Sequence, residues 1–207
     1  MSLAHALLGV LEARPMNGYA LARFFAGAQS WVWSAPQSQV YAALAKLAAA
    51  GLIEGDERGS SNGSTTTVWS LTPAGRTAFL EWVATPHPPP SMRDGLALQA
   101  LFFDSVPAAA AVAVLREHVA WLEALVEQWS AHRDALAAHD TPLLRERLLR
   151  RDPVDHDRIA QLKAHVFDGQ VEQARARIAW SREMIELLEA ARPHGDRGGT
   201  AGRAGPD

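Results

Sequence analysis

Residues 3–83 read, in order, as three helices, two strands around a polar loop, and a fourth helix, and few folds accommodate that order. An apolar helix runs LAHALLGVLEA, RPMNGYALARFFAGA supplies a turn and a second helix, and SAPQSQVYAALAKLAAAG is a third that ends on Gly51. LIEGDERG and TTTVWSLT flank the loop SSNGS, and PAGRTAFLEWV closes the unit. This is the order of a winged helix-turn-helix with a two-stranded wing, a module whose reading helix enters the major groove of DNA.

The rest of the chain narrows the setting. At 207 residues with 48% hydrophobic content, one or two domains with a real core are expected. The absence of cysteine excludes a disulfide scaffold and a thiolate metal site and fits a reducing cytoplasm. No cleavable leader is apparent. The most apolar window, VPAAAAVAVL, is far short of the roughly 20 residues a membrane span needs. A soluble cytoplasmic protein is therefore expected.

Prolines 86, 88, 89 and 90 in TPHPPPSM forbid helix and ladder hydrogen bonds, which places a linker at 85–92 between a head at 1–84 and a second domain at 93–191. Beyond it the pattern is helical throughout, giving a mainly α fold: a short helix near 96–103, a long one from 107 to about 139, and another over 155–191. The tail 192–207, with five glycines and no apolar periodicity, reads as disordered. Val112, Leu115, Val119, Leu122, Val126 and Trp129 recur at steps of three and four, as do Val171, Ala174, Ile178, Ser181, Ile185 and Leu188. Each set lays an apolar stripe along its helix. Trp121, Leu125, Trp180, Met184 and Leu187 fall off the stripes. Faces this broad need more partners than about three helices supply, so a homodimer is expected through Val119, Leu122, Ile178, Ile185 and Leu188.

In the third helix Val40, Leu44 and Leu47 share one face and should seat it in the core. Pro36 suits the first turn and Ser34 the N-cap. The opposite face carries Ser38, Ala42, Ala45, Lys46 and Ala49, flanked by Gln39 and Tyr41. Small residues allow close approach, alanine can touch a thymine methyl, and Gln or Ser can bond base edges. The loop between residues 59 and 65 reads either as a wing that follows the backbone or as a solvated hairpin turn. Residues 1–85 hold five cations (Arg14, Arg23, Lys46, Arg58, Arg76) against five anions (Glu12, Glu54, Asp56, Glu57, Glu81). A neutral head predicts modest nonspecific affinity, with hydroxyls and amides making many phosphate contacts.

At RPMNGYALARF, SQVYAALAKLAAAGLIE, VWSLTPAGRTAFLEW and GQVEQARARIAWSREMIELLEAA the chain resembles the PadR family of bacterial transcriptional regulators, in its subgroup with a long C-terminal domain. NGYAL is similar to the block that opens the family's second helix, with Asn17 where histidine is usual. SQVYAAL is similar to the recognition-helix block. SSNGSTTT departs from the family's Arg- and Lys-bearing wing. The resemblance implies a homodimeric repressor that binds double-stranded DNA at an inverted repeat, relieved by a small lipophilic or aromatic effector, with no cofactor. The expected DNA-binding set is Asn17, Tyr19, Ser38, Gln39, Tyr41, Ala42, Ala45, Lys46, Arg58, Ser61, Thr65 and Thr66.

Catalytic and metal chemistry find little support. His118, His132 and His139 share one helix, but two turns separate the last two by roughly 10 Å, too far for one zinc. The DHD run at 155–157 can cap the helix it starts. No nucleophile–base order or phosphate-cradling loop stands out, so neither an enzyme nor a metal site is expected. Of the seven tryptophans, Trp69 and Trp82 suit the head's core. Trp121, Trp129 and Trp180, with Met184, either pack or wall an aromatic-binding cavity. Two rivals to a DNA-binding regulator remain: a winged helix turned protein-interaction module, and a small-molecule carrier.

Overall fold

The computed structural model describes residues 3–26, 35–59, 65–88 and 94–190. They form two compact units, Met1–Pro90 with Ala138–Ala160, and Ser91–Ala137 with Gln161–Asp207. The first holds α1 (Leu3–Leu11), β1 (Met16–Asn17), α2 (Gly18–Ala26), α3 (Gln37–Ala49), β2 (Ile53–Gly59), β3 (Thr65–Leu71) and α4 (Pro73–Ala84). Leu7, Leu8 and Leu11 of α1, Leu21 and Phe25 of α2, and Val40, Leu44 and Leu47 of α3 close on one core with Ile53, against which Trp69 and Phe79 pack. Burying each aliphatic side chain contributes about 2 kcal/mol, which outweighs any weakness of so alanine-rich a third helix.

The sheet has three strands rather than two. β1 is only two residues long and pairs antiparallel with β3, Met16 opposite Trp69, giving the order β1-β3-β2. β2 and β3 pair in register from Ile53 opposite Leu71 to Gly59 opposite Thr65. Helix α3 starts one residue later than its proline suggested. Pro36 is the N-cap itself, its carbonyl accepting from the N–H groups of Gln39 and Val40; Ser34 lies outside the described residues. Gly51 ends the helix at φ +69°, a turn that glycine takes without a Cβ penalty. Thr72 then ties three segments together. Its N–H donates to the Leu52 carbonyl at 3.2 Å, its hydroxyl donates to the Gly51 carbonyl at 2.8 Å, and its oxygen accepts from the Gly75 N–H at 3.0 Å. That triple role is the physical content of the run LTPAG: a capping threonine, a proline at N1, and a glycine where α4 meets Leu52.

The contiguous second domain expected over 93–191 is divided otherwise. Residues 138–160 belong with the head and carry a helix the sequence reading passed over, α7 (Pro142–Leu148). Charge holds them there. Glu12, at the end of α1, has a side chain only 5% exposed; Arg151 Nη2 stands 2.5 Å from its Oε1 and Arg147 Nη1 stands 2.6 Å from its Oε2. Arg76 approaches to 3.6 Å, Arg147 also donates to the Gly9 carbonyl at 2.8 Å, and Arg14 pairs with Glu146. A carboxylate buried this deeply needs such partners, because an unpaired one would lose several kcal/mol of hydration. Burial beside a second guanidinium lowers the Arg147 pKa, while Glu12 pulls it the other way.

The second unit comprises α5 (Gly95–Ala100), a 3-10 turn at Phe103–Ser105, α6 (Ala108–Ala137) and most of α8 (His156–Ala190). Arg116 pairs with Glu189, Arg182 with Glu123 and Arg133 with Asp168. The pairs ascend on one helix as they descend on the other, so α6 and α8 run antiparallel. Val112, Leu115, Leu122 and Trp129 are buried on α6, and Val171, Ala174, Ile178 and Ser181 on α8. Val119, Val126, Ile185 and Leu188 are half-buried.

Candidate nucleic-acid interface

Helix α3 presents the face the periodicity defined. Val40, Leu44 and Leu47 are 0, 1 and 4% exposed beneath it, while Ser38, Gln39, Tyr41, Ala42, Ala45, Lys46 and Ala49 all face solvent. Two leucines and a valine thus fix the rotation of the helix, and with it which polar groups stand outward. Chemically the surface offers two hydroxyls, an amide, an ammonium and three alanine methyls, the kinds of group that meet base edges and phosphates at a major groove.

Helix α2 contributes differently. Asn17 is half-buried, and its Oδ1 accepts the Ala20 N–H at 2.7 Å, so its carbonyl oxygen caps α2. Tyr19 is 60% exposed, with the Arg23 guanidinium 5.9 Å from its ring centroid. On the wing, Thr66 lies opposite Arg58 and Thr65 opposite Gly59; Ser61 lies outside the described residues. Arg58 Nε donates to Asp56 Oδ2 at 3.0 Å, so the wing's cation is partly neutralised on its own strand. Glu54, Asp56 and Glu57 are all exposed on β2. Glu12, by contrast, is withdrawn into the arginine cluster and is not part of the exposed charge of the head. The sequence reading missed Glu12 and α7. The Thr141–Pro142 helix start was the available signal for α7; nothing local marks Glu12, whose arginine partners lie up to 139 positions away.

The four residues proposed to wall a cavity differ in burial and packing. Trp129 is buried, Trp121 is 59% exposed, and Trp180 and Met184 pack on the small core of Phe103, Ala111 and Leu115. Arg177, paired with Asp94, lies 4.1 Å over the Trp180 ring. An open pocket of about 630 Å³ lies elsewhere in the second unit, lined by Ala108, Ala109, Val112, Ala113 and Leu188 with Arg116 and Glu189. Of the five residues proposed for dimer contact, Leu122 and Ile178 are 7% exposed and Ile185 and Leu188 pack on the Phe103 core, while Val119 is half-buried. The apolar side chains left outward on the two long helices include Trp121, Leu162, Val166 and Leu187. Periodicity shows that a stripe is covered, not by which partner. In the head, Trp82 does not pack into the core but stacks on His5 at 4.8 Å and on His87 at 5.5 Å.

The three histidines weighed as ligands on α6 and at its end have local contacts. His118 lies against Trp121, His132 against Phe167, and His139 pairs with Asp157 at 3.3 Å. Burial lowers the pKa values of His5, His118 and His132. Among the described residues no three His, Asp or Glu side chains stand close enough to hold a metal ion. No helix among them is long and apolar enough to cross a membrane.

A three-helix head whose third helix turns small polar side chains outward, with a β-hairpin beside it, defines a winged helix-turn-helix protein. Comparison with known proteins shows what the chain is similar to. Residues 7–81 match the Transcriptional regulator PadR-like family. The probable transcriptional regulator Rv1176c of Mycobacterium tuberculosis is 26% identical over 193 residues, 93% of this chain and 100% of that one. The negative transcriptional regulator PadR of Bacillus subtilis is 24% identical over 142 residues, 68% of this chain and 78% of that protein. The crystal structure of that PadR with operator DNA superposes with a TM-score of 0.70 over 91% of this chain and 99% of that one, at 20% identity. Its complex with p-coumaric acid gives 0.66 over 90% and 95%, at 21% identity. The Vibrio cholerae virulence activator AphA gives 0.63 over 91% and 99%, at 26% identity. The chain is therefore similar to transcriptional regulators of the PadR type, in sequence over its head and in fold over most of its length.

Proposed function

We propose that this protein is a cytoplasmic homodimeric repressor that binds an inverted repeat through paired α3 helices and leaves it when a small lipophilic or aromatic compound binds. The outward row of Ser38, Gln39, Ala42, Ala45 and Lys46 on a helix seated by Val40, Leu44 and Leu47 carries the reading. Repression follows the negative regulator PadR, since an activator shares the fold. The effector class follows the p-coumaric acid complex of that same protein. Dimerisation is supported by the exposed Trp121, Leu162, Val166 and Leu187 on helices otherwise closed on each other. Two-fold symmetry would set half-sites about one helical turn, roughly 34–36 Å, apart.

The three exposed carboxylates of β2 favour a second reading, in which the winged helix docks protein rather than DNA. Titrating the purified protein into labelled DNA from its own upstream region, beside a scrambled duplex, separates the two. Operator binding near 10⁻⁸ M, well above the control, supports the repressor. Equal weak binding to both duplexes that vanishes with salt supports the docking module.

A further inference from the structure

Gly18 has no conformational reason to be glycine. It is the first residue of α2, it is buried, and its φ is not in the left-handed region. Alanine would ordinarily be preferred in a helix by up to about 1 kcal/mol, somewhat less in its first turn. What a methyl group there would meet is Tyr41. Cε1 of that ring would stand 2.6 Å from the added Cβ, with Cζ at 3.2 Å and Cδ1 at 3.4 Å. Three consecutive ring atoms therefore lie against the bare backbone of α2. The rest of the ring, which is 44% exposed overall, opens to solvent beside Ser38, Ala42 and Ala45.

This wedge has a defined place in a helix-turn-helix. The helix preceding the recognition helix crosses the DNA backbone, while the recognition helix enters the groove. A phenol held between the two stands at the groove edge, where phosphates lie rather than base edges. We infer that Tyr41 donates its hydroxyl to a DNA phosphate oxygen and that Gly18 is the positioning residue that sets the height of the ring. The inference rests on the DNA-binding reading above. Restoring ordinary carbon–carbon contact from 2.6 Å moves the nearest ring atom by about 0.9 Å. The hydroxyl moves with it, beyond the few tenths of an ångström a short O–H···O bond tolerates. The fold bears this easily, because the displaced group is the free end of one side chain.

The test is a double-mutant cycle read as DNA affinity by fluorescence anisotropy, with thermal melting run alongside. Tyr41→Phe, which keeps the ring and removes the donor, is expected to weaken binding about tenfold, to the same degree on operator and scrambled duplex, since a phosphate contact carries no sequence information. Gly18→Ala is expected to weaken binding five- to tenfold with its melting temperature nearly unchanged. The double variant should be no worse than Tyr41→Phe alone. Additive losses, a harmless Tyr41→Phe, or a loss confined to the operator would each overturn the assignment. Should Gly18→Ala melt early, the Tyr41→Phe result on the two duplexes still decides the phosphate contact. A wild-type protein that does not distinguish operator from scrambled DNA would instead remove the underlying reading.

Discussion

Replacing Glu12 with glutamine should release residues 138–160 from the head. The substitution keeps the shape and removes the charge that two guanidiniums meet at 2.5 and 2.6 Å. At an effective dielectric constant near 20, each contact is worth about 6 kcal/mol of Coulomb attraction, most of it cancelled by the cost of dehydrating the groups. What the variant loses is set by the cations left behind. Removing one partner of a buried pair costs about 3–5 kcal/mol. The low end applies here, because the Arg151 side chain is 34% exposed and can rehydrate, whereas Arg147 at 16% cannot. About 3 kcal/mol corresponds to a change of roughly 150-fold in the local opening equilibrium. Amide hydrogen exchange across Pro142–Leu148 reads that equilibrium directly. Protection there should fall about a hundredfold in Glu12→Gln and stay unchanged in Arg150→Gln, a substitution on the surface. A fall of less than fivefold would refute the view that charge, rather than Leu144 and Leu148, holds this segment.

Gly75→Ala would place a methyl 1.9 Å from the Leu52 carbonyl oxygen, a backbone atom that cannot step aside. Breaking the Thr72 tie and shifting α4 should cost about 3 kcal/mol, a fall of roughly 6–12 °C in melting temperature; a change under 2 °C would contradict the geometry. Operator affinity should depend weakly on salt for a DNA-binding protein. With Arg23, Lys46 and Arg58 as exposed cations flanking α3, the proposed dimer would have about four to six phosphate partners and a log–log slope of roughly −4 to −5. Asp56→Asn, which frees Arg58, should tighten binding several-fold at low salt; no change would show that the wing does not reach the backbone. Stability should decline as pH falls from about 7 towards 5. His5, His118 and His132 all have folded pKa values lowered by burial, so the unfolded chain binds more protons in that window. Chemical denaturation at several pH values measures the slope, and His132→Gln should flatten it.

Local pattern settled much of this protein. Val40, Leu44 and Leu47 recur at helical spacing, so the face α3 turns outward could be read from the chain, as could the LTPAG start of α4 and the paired wing strands. These features depend on neighbours within a few residues, and their physics is written in short windows. The third strand was invisible because two residues carry no periodicity; only Trp69 and Val68 opposite them make Met16 and Asn17 a strand. The apolar stripes of α6 and α8 were legible as stripes, yet only packing decided that Leu122 and Ile178 close the hairpin while Trp121 and Leu187 remain outside. Glu12 shows the limit most sharply. In sequence it is one acid in a neutral head, and its meaning comes from arginines up to 139 positions distant. A buried charge is specified by whatever three-dimensional neighbours cancel it, and no local rule of composition or spacing holds that information.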